Sequence, residues 1–122
     1  IPSQHRSRVR IFNNADRDTV RLLMNSCICG ICTSGMEEGH WAGIELGACN
    51  IPMVSRPMGR YLDNVDGLGM WGELAEDEDF AETIKKVVNN KSSYSPREYY
   101  SKEYTHERFK EKWAQVLEEF VV

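Results

Sequence analysis

Hydrophobic positions along the chain fall into short blocks whose spacing alternates between strand-like and helix-like. Val9, Ile11 and Phe12 form a β-prone run closed by the turn formers Asn13 and Asn14, which predicts a strand. Asp16 then caps a helix in which Val20, Leu23 and Met24 repeat at i, i+3 and i+4, and Asn25-Ser26 ends it. The run Cys27-Ile28-Cys29-Gly30-Ile31-Cys32 is continuously apolar, as expected of a parallel strand covered on both faces. A loop occupies residues 33–39. Trp41, Ile44 and Ala48 then restore helical spacing up to Asn50, and Ile51-Pro52-Met53-Val54 reads as the next strand. Strand, helix, strand, helix, strand predicts an α/β fold, a Rossmann-like parallel sheet flanked by helices.

The second half is less regular. Residues 57–72 are rich in Gly and contain Pro, predicting loops around one short strand at residues 68–71. Asp77 is the expected cap of a helix with Phe80, Ile84 and Val87 on one face, and Lys85-Lys86 near its end suits the helix dipole. Residues 89–96 form a polar linker. From Thr105, the apolar set Phe109, Trp113, Val116, Leu117 and Phe120 predicts a strongly amphipathic helix. Trp71 and Trp113 read as core, and Trp41 as packing between helix and sheet. The organisation expected is one domain over 1–122, with a core over about 8–90 and C-terminal helices over about 96–122.

Composition narrows the class. A chain of 122 residues supports one core, and 41% hydrophobic with 28% charged residues excludes a disordered chain. A net charge of −4 argues against non-specific nucleic-acid binding. The signs are segregated: Arg6, Arg8, Arg10, Arg17 and Arg21 crowd the start, and Asp63, Asp66, Glu73, Glu76, Asp77, Glu78, Asp79 and Glu82 the middle. Both clusters read as solvated surface, the basic one able to face an anionic membrane or ligand. No apolar stretch approaches the ~18–20 residues of a membrane span, and no leader pattern is present. The expected location is cytoplasmic, peripheral to a membrane at most. The first residue is Ile1 rather than Met, so an upstream part is expected, and with it an incomplete sheet.

Candidate chemistry is concentrated in residues 34–54. Ser34-Gly35-Met36-Glu37-Glu38-Gly39-His40-Trp41 follows a predicted parallel strand and opens a helix, the place where open α/β sheets bind ligands. Amides at a helix start can hold a diphosphate, and carboxylates accept hydrogen bonds from sugar hydroxyls. Glu37 in the loop and Glu45 a turn into the helix stand eight positions apart, followed by Ala48, Pro52 and Val54. Gly59 and Asp66-Gly67-Leu68 continue the series.

This arrangement resembles the donor-binding motif of GT-B-type glycosyltransferases, the retaining family 4 in particular, and the likeness extends over nearly the whole chain. In that motif a Ser and a Glu-Gly loop precede a second Glu eight positions on, a small-residue helix and a Pro-Val-Val strand. Here Glu38 stands between Glu37 and Gly39. The first carboxylate is therefore Glu37, which keeps the spacing, or Glu38, with one residue fewer before Glu45. His40 and Trp41 replace the family's small and aliphatic residues. The resemblance implies the C-terminal, nucleotide-sugar-binding half of such an enzyme. Glu37 or Glu38 would contact the donor sugar, the amides of Gly39, His40 and Trp41 would face sugar and diphosphate, and Glu45 would hold the ribose. It implies retaining, metal-independent hexosyl transfer from a nucleotide-sugar donor to a glycan, lipid-linked or protein acceptor, with no cofactor beyond that donor substrate. It implies too that a further enzyme domain completes the site and that the chain alone is inactive. No catalytic residue is assigned.

Other readings compete. Cys27, Cys29, Cys32 and His40 have ligand chemistry for zinc, yet the cysteines lie in an apolar run whose successive side chains point to opposite faces, so they read as core. Cys49 reads as helix core, and His106 as a helix start. Ser34-Gly35, Glu37-Glu38, Pro52 and Arg56 echo the fold-related nucleotide-sugar 2-epimerases with a poorer spacing. A non-catalytic binding domain of the same fold is the alternative from another class.

Overall fold

The computed structural model describes residues 2–36 and 41–121. The side chain of Asp16 accepts a hydrogen bond from the Thr19 amide at 2.8 Å, which starts α1 (Arg17–Ser26) where the apolar spacing predicts it. Helix α2 (Trp41–Ala48) ends in a Schellman arrangement: Asn50 sits at φ 61°, its amide bonds to Gly47 O at 2.8 Å, and the Ile51 amide bonds to Leu46 O at 2.9 Å. The chain is thereby turned back into the sheet. Helix α3 (Arg60–Asp63) is a single turn. Helices α4 (Phe80–Asn89), α5 (Pro96–Glu103) and α6 (His106–Phe120) follow. Pro96 opens α5, where a missing N–H costs nothing, and Thr105 caps α6 through the Arg108 amide at 3.1 Å.

Three strands, β1 (Gly30–Cys32), β2 (Met53–Ser55) and β3 (Gly72–Leu74), pair in parallel in the order β1-β2-β3. The register aligns Ile31 with Val54 and Val54 with Glu73. The fold is therefore α/β, a small parallel sheet flanked by helices. Alternation along β2 feeds two cores. Met53 belongs to a cluster with Cys32, Met58, Tyr61, Trp71, Tyr99 and Tyr100, against which Ile44 and Leu46 of α2 pack. Val54 faces the other way, into Ala75, Val87 and Tyr94 beneath α4. Helices α2 and α5 thus cover one face of the sheet and α4 the other.

Several expectations give way. Residues 9–12 form no strand: a 3-10 helix spans Ser3–Arg8, and Ile11 and Phe12 then lie 73% and 52% exposed. Strand propensity expresses fit to a pleated, half-buried surface, and these residues pair with none of the described strands. The apolar run at 27–32 contributes three strand residues rather than six, because Cys27 caps α1 through its amide to Met24 O. Nor is β1 covered on both faces, since Ile31 stays 52% exposed. The third strand lies at 72–74 instead of 68–71. A turn at Gly69 (φ 82°) delays it, and Glu73 breaks its apolar pattern. Helix α4 is flanked by Asp79 rather than Asp77.

Two aromatic expectations also change. Trp71 is fully buried, but Trp113 is 51% and Trp41 71% exposed. No described α6 residue is buried, so its amphipathic stripe faces outward.

Close packing sets the α2–α5 distance. A Cβ at Gly47 would lie within 2.0 Å of the Tyr100 ring, so only glycine permits this approach. Two further links fix the pair: Asn50 Oδ1 accepts from the Arg97 amide at 3.1 Å, and Arg97 Nε donates to Ala48 O at 2.8 Å. At the amino end of β3, Trp71 Nε1 donates to Asn64 O at 2.9 Å, the Tyr99 hydroxyl donates to Asn64 Oδ1 at 2.8 Å, and Asn64 Nδ2 donates to the Tyr104 hydroxyl at 2.8 Å. One asparagine ties the β2–β3 connection to α5.

Gly47→Ala is expected to lower stability by ~1–3 kcal/mol through overpacking against Tyr100. Gly35→Ala, whose nearest neighbour would be Arg56 Nη1 at 3.9 Å, should leave the urea midpoint near that of the parent. A second expectation concerns alkaline pH. Burial, and then the hydrogen bond to Glu73 and its charge, push the Tyr94 hydroxyl well above its ordinary range, and burial followed by the Asp66 charge does the same for Tyr99. Since the folded chain favours the neutral phenols, this stabilisation is complete below the free phenol pKa of about 10 and is lost as pH rises above it. Denaturation of Tyr94→Phe across pH 8–11 should show a shallower alkaline loss than the parent chain, at a cost of ~1 kcal/mol near neutrality for the missing hydrogen bond.

Candidate functional site

Parallel strands end together, so the loops that leave them share one edge of the sheet, where α/β folds place ligands. Here those loops are residues 33–36 after β1, 56–59 after β2 and 75–79 after β3. Ser55 is fully buried and its Oγ donates to Arg56 O at 2.9 Å, while the Arg56 amide donates to Cys32 O at 3.2 Å. Held in this way, Arg56 reaches Asp77 Oδ1 through its Nε at 3.2 Å and approaches the Gly35 loop with its guanidinium. One cation therefore links all three loops. In the sequence Arg56 stands out only as part of the epimerase-like pattern. Its place at the strand ends follows from the register of β2.

Of the candidate residues, Glu37, Glu38, Gly39 and His40 lie outside the described residues. Trp41 and Glu45 both belong to α2, at its first residue and one turn further on. They line different grooves. Glu45 is exposed in a groove of roughly 490 Å³ between α1 and α2, with Arg17, Arg21, Met24 and Cys49 around it. Its backbone carbonyl accepts from the Cys49 amide at 3.0 Å, and its side chain makes no hydrogen bond or ion pair with any described residue. Arg21 is paired with Asp18 at 3.3 Å, and Arg17 makes no ion pair with a described residue. The groove thus combines a hydrogen-bond acceptor with two guanidinium groups. Trp41 instead borders an apolar groove of roughly 460 Å³ shared with Ile44, Tyr104, Phe109, Trp113 and Val116.

The cysteines separate by face. Cys32 packs in the cluster under α2 and α5, whereas Cys29 packs beside Val54 and Val87 on the α4 side. Cys27 donates from Sγ to Leu23 O at 3.2 Å at the end of α1. Burial holds the Cys29 thiol above its ordinary pKa, which disfavours the thiolate that a metal or an electrophile would need. Cys49 follows α2 and is half-buried rather than enclosed in a helix core. Among the described residues, no three His, Cys, Asp or Glu side chains gather to hold a metal ion. No described helix is long and apolar enough to cross a membrane.

Compared with models of known protein families, with curated proteins and with solved structures, the chain finds no match in any of the three.

The Arg56–Asp77 link joins a one-third-exposed guanidinium to a carboxylate that is 71% exposed. An exposed pair of this kind contributes about 0–1 kcal/mol, so Asp77→Asn should leave thermal unfolding within a few degrees of the parent. A larger loss would mean that the link holds the strand-end loops in place.

Proposed function

We propose that this chain supplies part of the donor site of a nucleotide-sugar glycosyltransferase, as an incomplete Rossmann-like half of a GT-B enzyme. The observation that carries the reading is Glu45. It stands eight positions after Glu37, on the helix that follows a parallel strand, and its carboxylate is exposed without a partner among the described residues beside Arg17 and Arg21. A ribose presents hydroxyl donors, which an acceptor-only carboxylate satisfies in pairs. A diphosphate presents negative charge, for which the two guanidiniums supply complementary partners.

In this reading Glu37 or Glu38, with the amides of Gly39, His40 and Trp41, faces the donor sugar and its diphosphate from the loop before α2. The leaving diphosphate is stabilised by amides and positive side chains instead of a divalent ion, which is electrostatic stabilisation of developing charge. The acceptor and the groups that complete the reaction come from a further domain. Transfer then retains the anomeric configuration, and the acceptor is a glycan, a lipid-linked sugar or a protein.

Titration calorimetry of the protein with uridine, guanosine and adenosine diphosphates and their sugar conjugates tests this reading. One conjugate should bind, and Glu45→Ala should weaken it by about tenfold or more, since a hydrogen bond to a charged group contributes ~1.5–3 kcal/mol. Chelation of divalent ions should leave binding unchanged. If the folded protein binds none of the series, the donor-site reading fails and a non-catalytic domain replaces it.

A further inference from the structure

Helix α6 has polar and apolar residues in separate stripes, yet its apolar stripe faces outward. Phe109 is 57%, Trp113 51%, Leu117 55% and Phe120 78% exposed. With each aromatic ring offering ~150–250 Å² when free, the stripe and the neighbouring Trp41 present several hundred Å² of apolar surface, at the upper end of what monomers leave open.

The positions Phe109, Trp113, Val116 and Phe120 are spaced by four, three and four residues, the a/d rhythm of a helix that pairs with another helix. Charge along the same helix is polarised. Arg108, Lys110 and Lys112 outnumber Glu107 and Glu111 in its first half, where Glu111 is paired with Arg108, and Glu118 and Glu119 stand in its last turn, where neither makes an ion pair with a described residue. Shape is polarised in the same sense. The apolar groove beside Trp41, Phe109 and Trp113 lies at the beginning of α6, and Phe120, its most exposed ring, projects at the end.

A helix with a hole and a basic flank at one end, and a knob and an acidic flank at the other, is complementary to itself when turned end for end. We propose that the α6 face is an interface for a second copy of this chain, the two α6 helices packing antiparallel about a twofold axis near residues 114–115. The twofold sets Phe109 against the partner copy's Phe120 and Trp113 against its Val116. Each Phe120 then fills the groove bordered by Trp41 and Phe109 on the other copy. In the same register the flanking position Lys112 faces Glu119 of the other copy, and the reciprocal contact repeats it. Lys112 already approaches Glu103 at 3.3 Å, and its ammonium retains donors for a second carboxylate. A parallel pair would abut like charges at both ends and leave groove facing groove. A twofold contact uses one patch twice, so a single helix supplies both halves of the interface. The inference stands apart from the donor-site reading, since it uses neither Glu45 nor the strand-end loops.

Sedimentation velocity of the protein over a range of micromolar concentrations, with circular dichroism as the check on folding, tests it. The parent chain should show a reversible dimer, and Phe120→Asp should weaken it by about tenfold or more without change in the dichroism, because the ring is exposed within the single chain. Lys112→Glu and Glu119→Lys should each weaken the dimer, and the double exchange should recover most of the loss, since only the antiparallel register puts these two positions opposite each other. Added salt should weaken the parent dimer and affect a Lys112→Gln, Glu119→Gln variant less. A folded chain that stays monomeric throughout overturns the proposal and assigns the face to a different protein or a different part of the same one. A dimer insensitive to Phe120→Asp, or single charge reversals that the double exchange does not repair, overturns it equally.

Discussion

Strand β2 is paired on both sides, and the rest of the structure is arranged around that double pairing. Its three residues alternate between two cores: Met53 meets Trp71, Tyr61 and the tyrosines of α5, and Val54 meets Val87 beneath α4. Parallel pairing gives it the same direction as β1 and β3, so the three following loops emerge at one edge. The β1–β2 crossover must then pass over one face of the sheet, which α2 covers, and α4, which follows β3, covers the other. Neither helix needs much intrinsic preference for its place, because burial of its apolar side against β2 supplies the stabilisation.

The two ends of the sheet differ in what holds them. At the amino end, Asn64 joins the Trp71 indole, the Tyr99 hydroxyl and the Tyr104 hydroxyl in one hydrogen-bonded hub, backed by the contact of Gly67 with the Tyr99 and Trp71 rings. These groups are half-buried or buried and serve each other's hydrogen-bonding needs. At the carboxyl end the only ion pair among the described loop residues is Arg56 with Asp77, both solvent-accessible. Rigid packing at one end and accessible charge at the other is the division of labour expected when a scaffold carries a binding edge.

Surface left apolar is as informative as surface that is buried. Ile11, Phe12, Ile31 and the α6 stripe expose large side chains in separate places. Ile31 belongs to an edge strand whose outer side is bare of any described strand, and the α6 stripe has its own charge polarity. Folding of the described residues satisfies β2 fully and these elements only in part. Contacts with other surfaces would complete them, and in α6 the arrangement of rings and charges already specifies what such a surface has to look like.

Periodicity in the sequence was enough to determine α1, α2, α4 and α6, a strand at residues 51–54 that the structure sets at Met53–Ser55, and the α/β class, because each rests on local spacing and on caps such as Asp16 and Thr105. The eight-residue interval between Glu37 and Glu45 was equally legible, as was the placement of Glu45 on a helix. Only the tertiary structure decided which apolar runs become strands. Residues 9–12 have the composition of a strand and pair with no described strand, whereas Gly72-Glu73-Leu74 lacks the composition and pairs with β2. It also decided burial of the aromatics. Trp71, Trp113 and Trp41 look alike in the sequence, but only Trp71 is enclosed, since enclosure depends on which element packs opposite and amphipathic spacing names a face without naming its cover. Arg56 at the strand ends and the Gly47–Tyr100 approach are likewise products of register and of close packing between segments far apart in the chain, which no local pattern records.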